Sequence, residues 1–163
     1  MLGDQLNRQL GALRLARPGT HRILVVESAA KLRSKRWHVQ RAHLVLSAMR
    51  HLVAELRAEG FEVDHRRSST LAAGLAEHQT EFAPGRVLAM EPASWDGLEL
   101  LRRLGVELVR SDQFLVHPDE FRAFVDGRKR TTMEDFYRWQ RRRLGVLMDG
   151  DEPVTGRWNF DAE

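Results

Sequence analysis

Three consecutive pieces of the chain decide its fold: RILVVE at residues 22–27, VQRAHLVLSAMRHLVAELRAE at residues 39–59 and GFEVDHR at residues 60–66. The first is a continuous apolar run, the pattern of a strand buried on both faces. In the second, Ala42, Val45, Leu46, Met49, Leu52, Val53 and Leu56 recur at helical spacing. Gly60 then stands where a helix gives way to a left-handed residue. From Phe61 to Arg66 the residues alternate as a half-buried strand does. Strand, long helix and strand in that order predict a parallel pair joined by a crossover.

The same alternation continues outward. Thr70–Phe82 reads as a helix, Pro84-Gly85 as a turn, Arg86–Met90 as a strand, Ser94–Leu104 as a helix and Val106–Arg110 as a strand. The expected fold is α/β: a Rossmann-like open parallel sheet of about five strands flanked by helices. Its first strand reads as truncated, because Met1 and Leu2 run directly into Gly3-Asp4 and the chain begins at the carboxyl end of that strand. The character changes near residue 116, so residues 1–116 are read as one domain and residues 117–163 as a helical extension and linker. In that extension Pro118–Asp126 predicts a short helix. Thr131 and Glu134 have capping-box spacing for a second helix, from Thr132 to about Leu147. Asp149–Glu163 reads as an extended tail.

Composition narrows the function. With 163 residues, 42% of them hydrophobic and 30% charged, the chain is of globular type, which excludes disordered and collagen-like classes. Apolar runs such as Ile23–Val26 fall far short of the ~18 residues of a membrane span. Asp4 and the polar Asn7-Arg8 interrupt any secretory signal, so a cytoplasmic setting is expected. There is no cysteine, which excludes disulfides, a thiolate nucleophile and a cysteine-ligated cluster within this sequence. The net charge of +3 is too mild to name a nucleic-acid partner. Arginine outnumbers lysine heavily, a balance that suits phosphate or carboxylate recognition and equally follows from a GC-rich coding bias.

Polar residues at strand ends are the first candidates for chemistry, because open α/β sheets bind ligands at their carboxyl edge. Gly3 would let a ligand approach the backbone closely, and Asp4 and Gln5 offer an acceptor and an amide. Asp4 reads equally as a helix N-cap. Glu27 ends one strand and Glu91 another, either to receive ligand hydroxyl or N–H groups or to cap neighbouring helices. The histidines show no metal-ligand spacing, and there is no nucleophile elbow or glycine-rich phosphate loop. From Arg128 to Arg143 seven basic residues face two acidic ones, interleaved with Phe136, Tyr137 and Trp139. Such a stretch either tracks a phosphate backbone or forms a solvated helix face.

Several long strings then resemble one family. LGDQL at residues 2–6, VVES at 25–28, LSAMRHLVAELRAEGFEV at 46–63, Glu91-Pro92, GRKRTTMEDFYRWQRRRLGVLM at 127–148 and GRWNFDAE at 156–163 are similar to the N-terminal half of the deoxyribodipyrimidine photolyase-related proteins. These are also called iron–sulfur bacterial cryptochromes and photolyases. The resemblance covers essentially the whole sequence. It implies a Rossmann-like domain that carries an antenna chromophore, usually 6,7-dimethyl-8-ribityllumazine. A helical C-terminal half, absent from this sequence, would hold FAD, a four-cysteine 4Fe-4S cluster and the DNA-lesion site. Light taken up by the antenna would pass to the flavin, which repairs damaged DNA or serves in blue-light signalling.

Carried over by position, the resemblance implies Gly3, Asp4, Gln5, Glu27, Lys31, Val45 and Met49 as antenna residues. Lys31 stands where many relatives have a glutamate, and Trp37 is large enough to stack on a ring or fill a pocket. The expected partners are the flavin domain and, through the full-length protein, damaged DNA; no membrane is expected. A second reading is an interdomain or DNA-facing interaction module without a small-molecule ligand. A third, a generic nucleotide-binding domain, lacks the glycine-rich loop it would need.

Overall fold

In a computed structural model, which describes residues 1–161, the chain divides into two compact units, Met1–Leu115 and Val116–Glu163. Ala162 and Glu163, the last residues of the tail string, lie outside the described residues.

The first unit opens with an irregular segment and a short helix, α1 (Gly11–Leu15). Strand β1 (Arg22–Ser28) and β2 (Glu62–Ser68) form a parallel ladder in which Arg22 lies opposite Glu62 and Ser28 opposite Ser68. Between them run α2 (Ala29–Arg33) and the long α3 (Val39–Ala58). Gly60 follows α3 with φ +87°, the left-handed conformation that glycine adopts without a Cβ penalty. Helix α4 (Leu71–Phe82) starts on Thr70, whose side chain accepts the N–H of Ala73. Strands β3 (Leu88–Met90) and β4 (Glu107–Val109) make a second parallel pair around α5 (Trp95–Arg103).

Period-two alternation along β1 sorts its side chains between two layers. Ile23 and Val25 join Met49, Leu52, Val53 and Leu56 of α3 in one core, where Val25 is wholly buried. Leu24 turns to the opposite face, packing against a second core made by Leu75 of α4, Leu101 of α5 and Val106. The α4 layer sits so close that a Cβ on Gly74 would lie 2.8 and 2.9 Å from the methyls of Val26.

A continuous five-stranded sheet is not what forms. The described residues hold three two-stranded sheets: β1–β2, β3–β4 and a small antiparallel pair in the second unit. Met1 and Leu2 lie in no strand. The amino group of Met1 donates to the carbonyl of Leu24 in β1 at 2.8 Å. Strands β3 and β4 are also shorter than the apolar pattern suggested.

In the second unit α6 (Pro118–Val125) begins on a capping box of His117 and Glu120, and α7 (Met133–Leu144) on one made by Thr132 and Asp135. That box is shifted by one residue from the Thr131–Glu134 pair, because the Asp135 carboxylate accepts from both the N–H and the hydroxyl of Thr132. Gly145, with φ +64°, ends α7 three residues before the expected stop. The tail is not simply extended: β5 (Met148–Asp149) and β6 (Glu152–Pro153) turn it into a tight hairpin. Phe124 is buried among Phe136, Trp139 and the more exposed Phe121, with neighbouring ring centroids 4.7 to 6.3 Å apart.

The Gly74 contact yields a test with a definite sign. Helix propensity alone makes alanine better than glycine by up to ~1 kcal/mol. Here the new methyl would overlap Val26, and overpacking of that kind costs ~1–3 kcal/mol. We expect Gly74→Ala to lower the urea-unfolding free energy by about 1–2 kcal/mol; a gain in stability would show that α4 stands further from β1.

Candidate functional site

The carboxyl ends of β1 and β3 gather the polar residues singled out in the sequence. Gly3 lies directly on α3: a Cβ there would meet the Met49 sulfur at 3.2 Å and a Val45 methyl at 3.4 Å. Val45 and Met49 are four residues apart on the helix and so share a face. Asp4 is exposed, and its carbonyl accepts from the Gln113 side chain at 2.8 Å. Gln5 is buried, its amide donating to the carbonyls of Met90 and Glu91 at 3.3 and 3.0 Å. The Glu91 carboxylate accepts the N–H of Ser111. Gly3, Val45 and Met49 therefore meet, while Gln5 ties the same segment to the end of β3.

Glu27 sits in a different environment. Its side chain is 6% exposed and accepts two bonds from Arg50 of α3, at 2.7 and 2.8 Å. His65 of β2 approaches one oxygen at 2.9 Å, and Arg67 stands 3.5 Å from the other. The forked bond from Arg50 is the main reason that the Glu27 carboxyl is held below its ordinary pKa, with His65 adding to it and burial opposing. Lys31 is exposed on α2; its N–H donates to Ser28 Oγ and its carbonyl accepts from the indole of Trp37. Trp37 in turn carries the Arg41 guanidinium 4.7 Å from its ring centroid.

Sequence reasoning did not find the partners of these groups. Arg50 lies within the helical run next to Met49. His65 and Asp64 occupy neighbouring positions of β2 and so point to opposite faces. On the α4 side Asp64 accepts from Arg66 at 2.6 Å and contacts Nδ1 of the buried His78 at 2.7 Å. The available signal was a strand carrying charges on both faces beside one whose single carboxylate, Glu27, ends an apolar run.

The basic stretch of the second unit is largely committed to its own fold. Arg141 is buried; it donates to the carbonyls of Val146, Leu147 and Trp158 and to the Tyr137 hydroxyl. The Arg138, Arg141 and Arg142 guanidiniums lie 5.3, 5.4 and 4.5 Å from the Trp158 ring centroid. Arg128 rests on Phe124, and Arg143 bonds Gln140 and Glu120. Lys129 and Arg130 remain exposed.

Comparison with known proteins now decides the family. The profile of the deoxyribodipyrimidine photo-lyase-related proteins matches residues 1–163. The chain belongs to that family. It is also similar to a (6-4) photolyase of Agrobacterium fabrum (strain C58), 35% identical over 175 residues that cover the whole chain. The alignment takes in 34% of that relative, so this photolyase-related chain spans about a third of its length. No helix among the described residues is long and apolar enough to cross a membrane.

Two outcomes follow from the site geometry. A carboxyl held below its ordinary pKa by native contacts stabilises the fold above the glutamate range, and that contribution is lost as pH falls through the lowered value. Glu27→Gln should cost about 1–3 kcal/mol at pH 7, where a buried acceptor loses its charge-assisted bonds. It should also flatten the stability profile below the ordinary glutamate value of 4.5, measured by urea titration across pH. For Arg141→Lys, an ammonium cannot serve acceptors spread over a planar fork. We expect the second unit to lose about 2 kcal/mol, seen as earlier amide exchange around Leu147 and Trp158; unchanged protection there would mean the arginine fork is dispensable.

Proposed function

We propose that this chain is the antenna-holding N-terminal part of a photolyase- or cryptochrome-like flavoprotein, placed in the cytoplasm. In this reading 6,7-dimethyl-8-ribityllumazine rests at the carboxyl ends of β1 and β3. The observation that supports it is the apposition of Gly3 with Val45 and Met49. Gly3, without a Cβ, lets the strand-end segment close onto two apolar side chains of one helix face, and apolar surface beside a few polar groups is what a flat heterocycle needs.

The polar half of the fit falls on fewer groups than the resemblance implied. Asp4 and Lys31 are exposed and able to meet ring N–H groups or ribityl hydroxyls. Glu27 and Gln5 already spend their hydrogen bonds on Arg50, His65 and the end of β3. They hold the site's walls in place more than they offer contacts. The chromophore, when bound, supplies light absorption; the chain supplies its distance and orientation relative to a flavin.

FAD, the 4Fe-4S cluster and the lesion-binding surface belong, on this proposal, to a C-terminal half. A cysteine-free sequence offers no thiolate for the cluster. Repair of damaged DNA, or blue-light signalling, would be the activity of the assembled protein. A DNA-facing module is the weaker reading, because most arginines of the basic stretch are engaged in packing rather than presented to a phosphate backbone.

The test is a titration of the purified chain with 6,7-dimethyl-8-ribityllumazine, followed by its near-ultraviolet absorbance after gel filtration. Saturable one-to-one binding is expected. Met49→Ala should weaken it about tenfold, the loss of roughly one well-packed contact, and Asp4→Asn should weaken it with no change in unfolding midpoint. Absence of saturable binding would remove the antenna role and leave family membership intact.

A further inference from the structure

From Ser28 to Ala54 the chain holds no acidic residue, the longest such interval in the sequence, and six lysines and arginines. Arg50 is spent on Glu27. The other five, Lys31, Arg33, Lys35, Arg36 and Arg41, are exposed, and among the described residues none of them is paired with a carboxylate. Exposed arginines elsewhere, such as Arg86, Arg102 and Arg122, bond Glu107, Glu99 and Asp119. A coding bias toward arginine raises the count on every surface. It does not account for five cations left together without a counter-charge, since like charges repel one another.

These cations stand on a folded surface. The carbonyl of Lys31 accepts from the N–H and the hydroxyl of Ser34, at 3.3 and 2.8 Å, and from the indole N–H of Trp37 at 3.2 Å. The Trp37 backbone N–H donates to the Lys35 carbonyl at 2.9 Å. The connection from α2 to α3 is thereby drawn onto the end of α2. Arg41, in the first turn of α3, holds its guanidinium 4.7 Å from the Trp37 ring centroid. Arg41, Val45 and Met49 are spaced by four and so share one face of α3, and Val45 and Met49 are the pair that meet Gly3. Arg41, with Lys31 joined to it through Trp37, therefore continues the strand-end crevice toward the amino end of α3. Four residues, ~6 Å of helical rise, separate Arg41 from Val45, a span that an extended five-carbon polyol chain covers.

We propose that this surface receives a phosphate: the ligand of the crevice is a heterocycle whose ribityl chain ends in a phosphate monoester, with Arg41 and Lys31 as its counter-charges. The inference rests on the antenna reading and adds the ligand's charge to it. The ring lies against Val45 and Met49, and the polyol runs along α3 toward its amino end. An uncharged ribityl group would leave the cations uncompensated, whereas a phosphate monoester brings a charge of about −1.5 to −2 at pH 7. The Arg41 guanidinium can donate two parallel N–H bonds to phosphate oxygens, and Lys31 adds a mobile point charge. Contact with Trp37 already restricts Arg41, so less side-chain freedom is lost on binding. Arg33, Lys35 and Arg36 raise the potential around the site and speed capture of an anion.

The experiment titrates the 163-residue chain with 6,7-dimethyl-8-ribityllumazine and, separately, with its 5′-phosphate, at low salt. The phosphate should bind at least tenfold tighter, and the advantage should shrink as sodium chloride is raised, because the cations are exposed. Arg41→Gln should remove most of the advantage. Arg103→Gln, which takes the same charge from α5 in the other layer, should keep it. Equal affinity for the two compounds would overturn the proposal and leave the antenna reading standing; binding of neither would remove both. An equal loss in the two variants would assign the advantage to net charge and overturn the proposal. So would tight binding of a short oligonucleotide that leaves lumazine binding untouched, which would make a nucleic acid the occupant of the cationic surface.

Discussion

A strand covered by helices on both faces can satisfy its backbone only along its two edges. Strand β1 is in that position, with Val25 wholly buried and α3 and α4 on opposite sides. One edge is fully used in the seven-residue ladder with β2. Among the described residues, the other meets a single backbone bond, from Met1. The two-layer core, the placement of the strand-end residues and the split into half-sheets all trace to how that strand is covered and paired.

The ladder's register is fixed by charge as well as by apolar packing. Glu27 and His65 face α3, where Arg50 completes the cluster; Asp64 and Arg66 face α4, where His78 and Glu81 complete another. A slip of β2 by one residue would exchange these sets and leave carboxylates under the wrong helix, without their arginines and histidines. For Asp64, burial is the largest single influence and pushes its carboxyl up. The bonds from His78 and Arg66 outweigh it and hold the group below its ordinary pKa. Buried carboxylates are tolerated here because each has two or more donors, and that requirement ties β2 to one alignment.

The order of helices and strands was legible because buried apolar runs and helical periodicity survive in the local sequence: Ile23–Val26, Val45–Leu56 and Leu71–Leu75 announce themselves. The division into separate pairs was not, since which strands pair depends on contacts between segments far apart in the chain, which no local pattern encodes. The capping box moved from Thr131 to Thr132 for a comparable reason: two threonines in succession, each followed three residues later by an acid, give the same signal, and only geometry separates them. At the candidate site the types of residue were readable but their commitments were not. Glu27 reads as a ligand group until Arg50 and His65, distant in sequence, are seen to occupy it. The arginines around Trp158 likewise read as surface charge until their guanidiniums are found within 4.5 to 5.4 Å of its ring centroid.

Placement of the site on α3 has a mechanical consequence. Val45 and Met49 contact Gly3, and Arg50, the next residue, is held by both oxygens of Glu27. The same helical turn therefore carries the apolar contact with Gly3 and the ion pair that joins the helix to β1. Sliding α3 along the sheet would strain that forked, partly buried bond and the Met49–Gly3 contact together. A chromophore resting there would inherit that fixity. On the proposed antenna role, energy transfer to a flavin would depend on distance and orientation, and a site built on a clamped helix and a strand end would suit that role better than one built on loops.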